Sequence, residues 1–95
     1  MLTHIVFFRL KDRSDASRAG TRDLILSMRG RIPSLSALEA GADIVRSERS
    51  FDAALLSRFE TTADFEAYRV HPVHMDVAKE LKARSESVVA VDYES

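Results

Sequence analysis

The chain has 95 residues, with 14 Lys or Arg against 15 Asp or Glu, and it contains no cysteine. This length predicts one domain over residues 1–95 that gains stability from a partner, because a small chain buries a modest share of its surface. The balanced charge argues against nucleic-acid binding, and the lack of cysteine excludes disulfides and thiolate metal sites. We find neither a secretory signal nor an apolar run near the roughly 20 residues of a membrane span. We therefore expect a cytoplasmic protein without nucleic-acid or membrane partners.

The chain opens with a predicted strand over residues 3–10, which is rich in β-branched and aromatic side chains. Alternation places Val6 and Phe8 on one face and Ile5 and Phe7 on the other. Both faces are therefore apolar. That pattern is unusual for a sheet with one face in water.

A helix is predicted from residue 16 to about residue 29, after a charged turn in which Ser14 or Asp15 can cap it. Gly30 is the expected C-terminal cap, because glycine readily adopts the left-handed conformation. An extended segment follows over residues 35–46. Its Gly41 predicts a bulge or a close approach by another backbone.

The second half repeats the order strand, helix, strand. Residues 51–60 form a predicted strand, and Thr61 with Asp64 resembles a capping box in which each side chain bonds the other residue's amide. Helix follows to about Ser85, with a break near Pro72, and residues 88–93 form the last predicted strand.

The predicted order is β-α-β-β-α-β, which gives the α+β class and a ferredoxin-like four-stranded antiparallel sheet. Two helices cover only one face of such a sheet. Because the strands are apolar on both faces, we expect a second copy of the chain to cover the other. The predicted assembly is a homodimer through the open sheet faces, a dimeric α+β barrel, with an interface of at least about 1,600 Å².

The segment from Tyr68 to His74 holds two of the three histidines and one of the two tyrosines. Pro72 breaks the helix, so His71 is expected to contact or cap backbone there. The apolar positions that follow His74 at helical spacing turn its imidazole inward. An inward imidazole near a phenol suits acid–base chemistry, although polar residues that satisfy backbone groups at a kink give the same pattern.

These pieces together resemble the Dabb family, the dimeric stress-responsive α/β-barrel domain, over nearly the full length. The resemblance is carried by order and spacing, in His4-Ile5-Val6-Phe7-Phe8-Arg9-Leu10-Lys11, Ile32-Pro33, Glu39 with Gly41, Phe51-Asp52, Phe59-Glu60-Thr61, Tyr68 with His71-Pro72-Val73-His74, and Val91-Asp92-Tyr93.

The resemblance implies a fold and a dimer that agree with the periodicity, and it also implies a site. The family's best understood enzyme is a plant polyketide cyclase, which closes a linear polyketide by an aldol condensation. By that resemblance His74 is the catalytic base and Tyr68 the catalytic hydrogen-bond donor. His4, His71 and Phe8 are the substrate-binding candidates, toward a small carbonyl-containing ligand. The chain departs from the cyclase on the third strand, where another pocket histidine of that enzyme aligns with a small apolar residue near Ala53.

Several functional hypotheses remain open in addition to a cyclase. The chain fits equally a non-catalytic binding or structural dimer with the same pocket, and its topology is shared by dimeric α+β-barrel monooxygenases. His71 and His74 have a spacing that metal sites use, but the proline between them disturbs it, so no metal and no cofactor are predicted. The sequence leaves open whether the chain is an enzyme.

Overall fold

The computed structural model describes residues 1–95 as a four-stranded antiparallel sheet with three helices on one face. The elements are β1 (Leu2–Leu10), α1 (Asp15–Leu26), β2 (Ala37–Ala42), β3 (Ala53–Phe59), α2 (Thr62–Val70), α3 (Pro72–Arg84) and β4 (Ser85–Glu94). The strand order in the sheet is β2-β3-β1-β4, so the first and last strands lie side by side. The predicted ferredoxin-like α+β architecture is confirmed. None of the three helices combines the length and apolar character needed to cross a membrane.

The core lies between the sheet and the helices. Alternation along β1 and β3 turns every second side chain toward the helix layer, and residues such as Phe8 and Leu55 are less than 5% exposed. The helices contribute Ile25, Tyr68 and Leu81 to the same apolar cluster. Residues that are far apart in sequence thus share one buried layer, which fixes the helices over the sheet.

The opposite face of the sheet is open and apolar. Phe7, Val89 and Tyr93 are each 44–45% exposed, and Val91 is 61% exposed. Cross-strand register pairs Phe7 with Val89 and Ile5 with Val91 across β1 and β4. The predicted apolar second face is therefore present.

The two predicted N-terminal caps form, but the predicted C-terminal cap of α1 does not. The Ser14 side chain accepts a hydrogen bond from the Ser17 amide at the start of α1. The Thr61 hydroxyl oxygen accepts one from the Asp64 amide, but the reciprocal bond of a full capping box is absent. Helix α1 ends at Leu26 rather than near residue 29, and its C-terminal cap is Ser27. The prediction of Gly30 as the cap is therefore wrong; Gly30 lies in the turn that follows, in the left-handed conformation with φ of 76°.

Strand β2 is shorter than the predicted extended segment. The Asp43 carboxylate accepts a hydrogen bond from the Arg46 amide at 2.8 Å and so closes a turn directly after Ala42. Arg46 has a φ of 57°, a left-handed conformation that cannot continue a strand. The pairing with β3 therefore stops before the loop.

Gly41 does not form the predicted bulge. It pairs with Ala54 in regular register, and no atom outside its chain neighbours lies within 4 Å of the position that a Cβ would take. The expectation of a bulge or close approach at Gly41 is wrong, and the register shift of the sheet lies between Arg9 and Leu10 instead. There β4 begins at Ser85, directly after α3 and three residues before its predicted start.

Candidate functional site

The break between α2 and α3 positions the histidines of the site. His71 has an extended backbone with φ of −67° and ψ of 135°, and Pro72 opens α3. Proline is well tolerated at this position, where a helix has no use for its missing amide hydrogen. The Nδ1 atom of His71 accepts a hydrogen bond from the Val73 amide at 3.1 Å. The expectation that His71 caps backbone at the break is confirmed.

His74 lies in the first turn of α3, and its ring is tied to the end of α2. Its Nδ1–H donates a hydrogen bond to the carbonyl oxygen of Arg69 at 3.0 Å. A carbonyl oxygen only accepts, so this bond fixes the tautomer that leaves the Nε2 lone pair free. Burial lowers the pKa of His74 below its ordinary value, and the nearby charges of His4 and Arg69 lower it further. The imidazole is therefore neutral at pH 7 and suited to accept a proton.

Tyr68 lies beside that imidazole with a phenol that is protonated at all ordinary pH values. The two ring centroids are 4.1 Å apart, and the Tyr68 side chain also packs on Phe59 at 4.9 Å. Only 1% of Tyr68 is exposed, and this burial raises the pKa of the phenol. Its hydroxyl makes no hydrogen bond with another protein group, and its oxygen is not one of the fully buried unpartnered atoms of the chain. An O–H without a protein partner in the wall of a cavity can donate to a bound molecule.

His4 approaches the same place from β1, where a residue of β4 holds its ring. His4 and Asp92 are cross-strand partners, and the Nδ1 atom of His4 is hydrogen-bonded to the Asp92 carboxylate. Because an ionised carboxylate only accepts, the ring donates through Nδ1–H and presents Nε2 on its other side. The centroids of the His4 and Tyr68 rings are 6.4 Å apart.

These side chains line one cavity of about 470 Å³ between the sheet and α3. Helix α3 lines it with residues at helical spacing, and the other walls come from β1, β3, α2, β4 and the turn after α1. The lining residues are His4, Val6, Phe8, Met28, Leu55, Tyr68, His74, Val77, Ala78, Leu81, Lys82, Ser85, Glu86, Ser87 and Val88. Most of them are apolar, so the histidines and the phenol are the polar groups at one part of a largely hydrophobic chamber.

The structure thus brings together four of the five residues that the sequence proposed for the site. His4, Phe8, Tyr68 and His74 line the cavity, whereas His71 does not and instead caps α3. The four share the cavity because alternation along β1 turns His4 and Phe8 toward the helices, while helical spacing turns Tyr68 and His74 toward the sheet.

Three charged residues at the site were not predicted from the sequence. Asp92 has the signal of alternation, which places it on the helix side of β4, but its partner is evident only from the register with β1. Lys82 and Glu86 line the cavity near the junction of α3 and β4. The spacing of Lys82, eight residues after His74 on one helix, contains that signal.

The arrangement does not form a metal centre. No group of three or more His, Asp or Glu side chains converges at one point. The Nδ1 atoms of His71 and His74 are both bonded to backbone groups.

The sequence of the whole folded region identifies its family. Residues 2–95 match the family model of the stress-responsive A/B barrel domain, Dabb. The chain belongs to the Dabb family. Ala53 is 4% exposed on the core side of β3 and does not line the cavity.

Relatives of this Dabb chain include a plant protein and bacterial and plant structures. A stress-response A/B barrel domain-containing protein of Arabidopsis thaliana is 30% identical over 98% of this chain, which spans only 36% of that relative. A dimeric ferredoxin-like protein of Bacteroides fragilis is 28% identical, with a TM-score of 0.82 over 99% of this chain and 95% of its own. The hydroxynitrile lyase of Passiflora edulis is 24% identical, with a TM-score of 0.79 over 97% and 90%, and shows the shared fold.

Proposed function

We propose that this Dabb domain binds a small carbonyl-containing molecule in the cavity and catalyses proton transfer at the carbon next to the carbonyl. One observation carries the proposal. The neutral imidazole of His74 and the phenol of Tyr68, whose hydroxyl has no hydrogen-bond partner in the protein, lie in the wall of an apolar cavity with their ring centroids 4.1 Å apart. Removal of an α-proton needs a base and a donor for the developing enolate oxygen. His74 and Tyr68 supply those two groups.

The proposed reaction uses the tautomer of His74 with a free Nε2 and the protonated phenol of Tyr68. Nε2 of His74 takes the α-proton, and the C–H electron pair moves into an enolate whose oxygen accepts a hydrogen bond from Tyr68. If the substrate has a second carbonyl group, the enolate carbon attacks that group and forms a new C–C bond. The resulting alkoxide then takes the proton back from the His74 imidazolium, which completes an aldol ring closure without any net loss of atoms. The apolar walls strengthen the hydrogen bond to the enolate.

Deuterium exchange tests the proposal without knowledge of the natural substrate. The wild-type protein is incubated in D₂O with a panel of β-keto acids and poly-β-keto thioesters, and α-deuteration is followed by mass spectrometry. We expect exchange above the buffer rate for at least one chain length, because the cavity is of ligand size. A heat-unfolded sample of the same protein is the control. A panel without any protein-dependent exchange would contradict the catalytic proposal.

A second candidate function is a non-catalytic binding or structural dimer. The burial of Tyr68 and its packing on Phe59 and Phe65 favour it, since such a cluster fastens α2 to the sheet whether or not chemistry occurs. In that case the panel yields no exchange. A binding dimer still shows shifts of the amide resonances of the cavity residues with carbonyl compounds in NMR spectra, whereas a purely structural dimer shows neither. The two candidates are thus separated by one set of samples.

We also propose that the domain is a homodimer through the open sheet face. The apolar side chains of β1 and β4 on that face support it, as does the dimeric state of the related Bacteroides fragilis protein. A largely apolar sheet face in water costs roughly 25 cal/mol for each Å² that a partner could cover. A second copy with the same face offers a self-complementary cover.

The substitution Phe7→Asp is expected to convert the dimer into a folded monomer at micromolar concentration. Phe7 is 44% exposed near the middle of the open face, and each isologous interface would bury two copies of the new charge. Multi-angle light scattering measures the mass, and circular dichroism checks the fold. The matched control is Met75→Asp, an exposed apolar residue of α3 that lies in the helix layer. A wild-type protein that is already monomeric would contradict the homodimer.

A further inference from the structure

Two adjacent apolar side chains lie in water at the loop between β2 and β3. Ile44 is 90% exposed and Val45 is 75% exposed, which are the two largest values among the large hydrophobic residues of the chain. We call Ile44 and Val45 the apolar tip. Single exposed apolar residues are common on proteins. Two adjacent ones that are both largely exposed form an apolar patch of the kind that contacts a partner.

The apolar tip is held in place by a network of charges. The Asp43 carboxylate accepts hydrogen bonds from both the amide and the guanidinium of Arg46, and these span the tip. The Arg46 guanidinium also contacts the Asp52 carboxylate at 2.8 Å. Asp52 is 0% exposed and receives a further ion pair from Arg13 at 3.0 Å. The loop is therefore braced against the body of the domain rather than loosely attached.

The backbone conformation of Arg46 also indicates that the loop is held in place. Its φ of 57° is unfavourable for a residue with a side chain, and such conformations persist where the surroundings over-determine them. The ion pairs of Arg46 with Asp43 and Asp52 hold it there. The unfavourable conformation of Arg46 thus fixes the loop in a shape that leaves Ile44 and Val45 exposed.

The apolar tip adjoins the open face of the sheet. Ala42 and Asp43, the two residues before it, line a depression on that face together with Phe7 and Phe51. A standard interface buries about 800 Å² of accessible surface on each partner. The tip is apolar surface directly next to the open face, so its burial would add to the area that a dimer through this face covers.

We infer that, in the homodimer proposed above and resting on it, the apolar tip packs against the second copy of the chain and extends the interface beyond the sheet. A two-fold axis gives each dimer two such tips, each contacting the partner. The occupant is a second copy because the tip continues the same apolar face that the homodimer covers.

Ile44→Asp and Val45→Asp test the inference by their effect on dimer dissociation, measured by analytical ultracentrifugation over a dilution series. Burial of one such side chain corresponds to about a tenfold factor in affinity, and each dimer contains two copies. We expect the dimer Kd to rise about 100-fold for each variant. The matched control is Val70→Asp, a 69% exposed residue at the end of α2, which should leave the Kd within about twofold of wild type.

A spin label provides a second measurement that does not depend on stability. The chain has no cysteine, so Val45→Cys and Val70→Cys each create a single labelling site. In a mixture of spin-labelled protein and ¹⁵N-labelled wild type, a label at residue 45 should broaden amide signals of the partner around the open face. A label at residue 70 should leave those signals sharp.

The outcomes separate this inference from the homodimer itself. A raised Kd together with intermolecular broadening supports the apolar tip as part of the interface. If the wild type dimerises but both tip variants keep its Kd and no broadening appears from residue 45, the tip lies outside the interface and the inference is overturned. If the wild type is a monomer, the homodimer and the inference are overturned together.

Discussion

Replacing His74 with asparagine is expected to lower the rate of α-proton exchange by about 10²–10⁴-fold, the usual contribution of a general base. Asparagine retains an N–H that can donate to the Arg69 carbonyl oxygen, as the imidazole does at 3.0 Å. The substitution therefore removes the base with little change in the contact between α2 and α3. Exchange rates are measured on the ketone that responds best to the wild type, with circular dichroism to confirm the fold.

The pH profile of the wild-type exchange rate provides a second test of the same base. Burial lowers the pKa of His74, so the neutral form persists below the ordinary histidine value of about 6.5. We expect the acid limb of the profile to lie below that value, and His74→Asn to abolish the limb. In contrast, Tyr68→Phe should lower the rate but keep the limb, because it removes a donor that stays protonated over this range.

His71→Ala is the matched control for the base. His71 is only three residues away, but its Nδ1 accepts the Val73 amide and its ring does not line the cavity. Loss of this cap should reduce stability by about 1 kcal/mol and leave the exchange rate of the folded protein unchanged. Equal losses of rate in His71→Ala and His74→Asn would reject the assignment of different roles, and a wild-type rate in His74→Asn would remove His74 from the mechanism.

Much of the fold was predictable because its signals are local. The alternation that brings Val6 and Phe8 inward is contained in a few residues, and so is the break at Pro72 with its capping histidine. The same short-range rules placed His4 and His74 on inward faces, where the structure shows them in one cavity. Short periodicities determine which face a residue occupies.

The remaining features depend on contacts between distant parts of the chain. The pairing of His4 with Asp92 spans 88 residues and requires the register of β1 with β4. The Asp52 carboxylate that contacts Arg46 after β2 is in turn held by Arg13, 39 residues away in the sequence. No local pattern contains such information, since the same residues in another register would have other partners.

The buried carboxylate of Asp52 leads to a second large effect, this time on stability. Asp52→Ala should lower the free energy of unfolding by roughly 3 kcal/mol, the low end for breaking a buried ion pair, because both arginines reach water. Its carboxylate accepts the Leu10 amide at 2.8 Å as well as the ion pairs of Arg13 and Arg46. Urea unfolding measures the change, at one protein concentration because dimerisation also adds stability. Asp15→Asn, which removes an exposed ion pair with Arg18, should change stability by less than about 1 kcal/mol.

The contribution of Asp52 should also depend on pH with a defined sign. Burial of its carboxyl raises the pKa, but the hydrogen bond from the Leu10 amide and those from Arg13 and Arg46 outweigh it, so the pKa of Asp52 lies below its ordinary value. A depressed pKa stabilises the fold above the unfolded value of about 3.9, and this contribution is lost as the pH falls through the folded value. The stability gap between wild type and Asp52→Asn should therefore be full at pH 7 and shrink in acid below that value. A gap that stays constant from pH 7 down to acid unfolding would show that Asp52 acts through its shape and not through its charge.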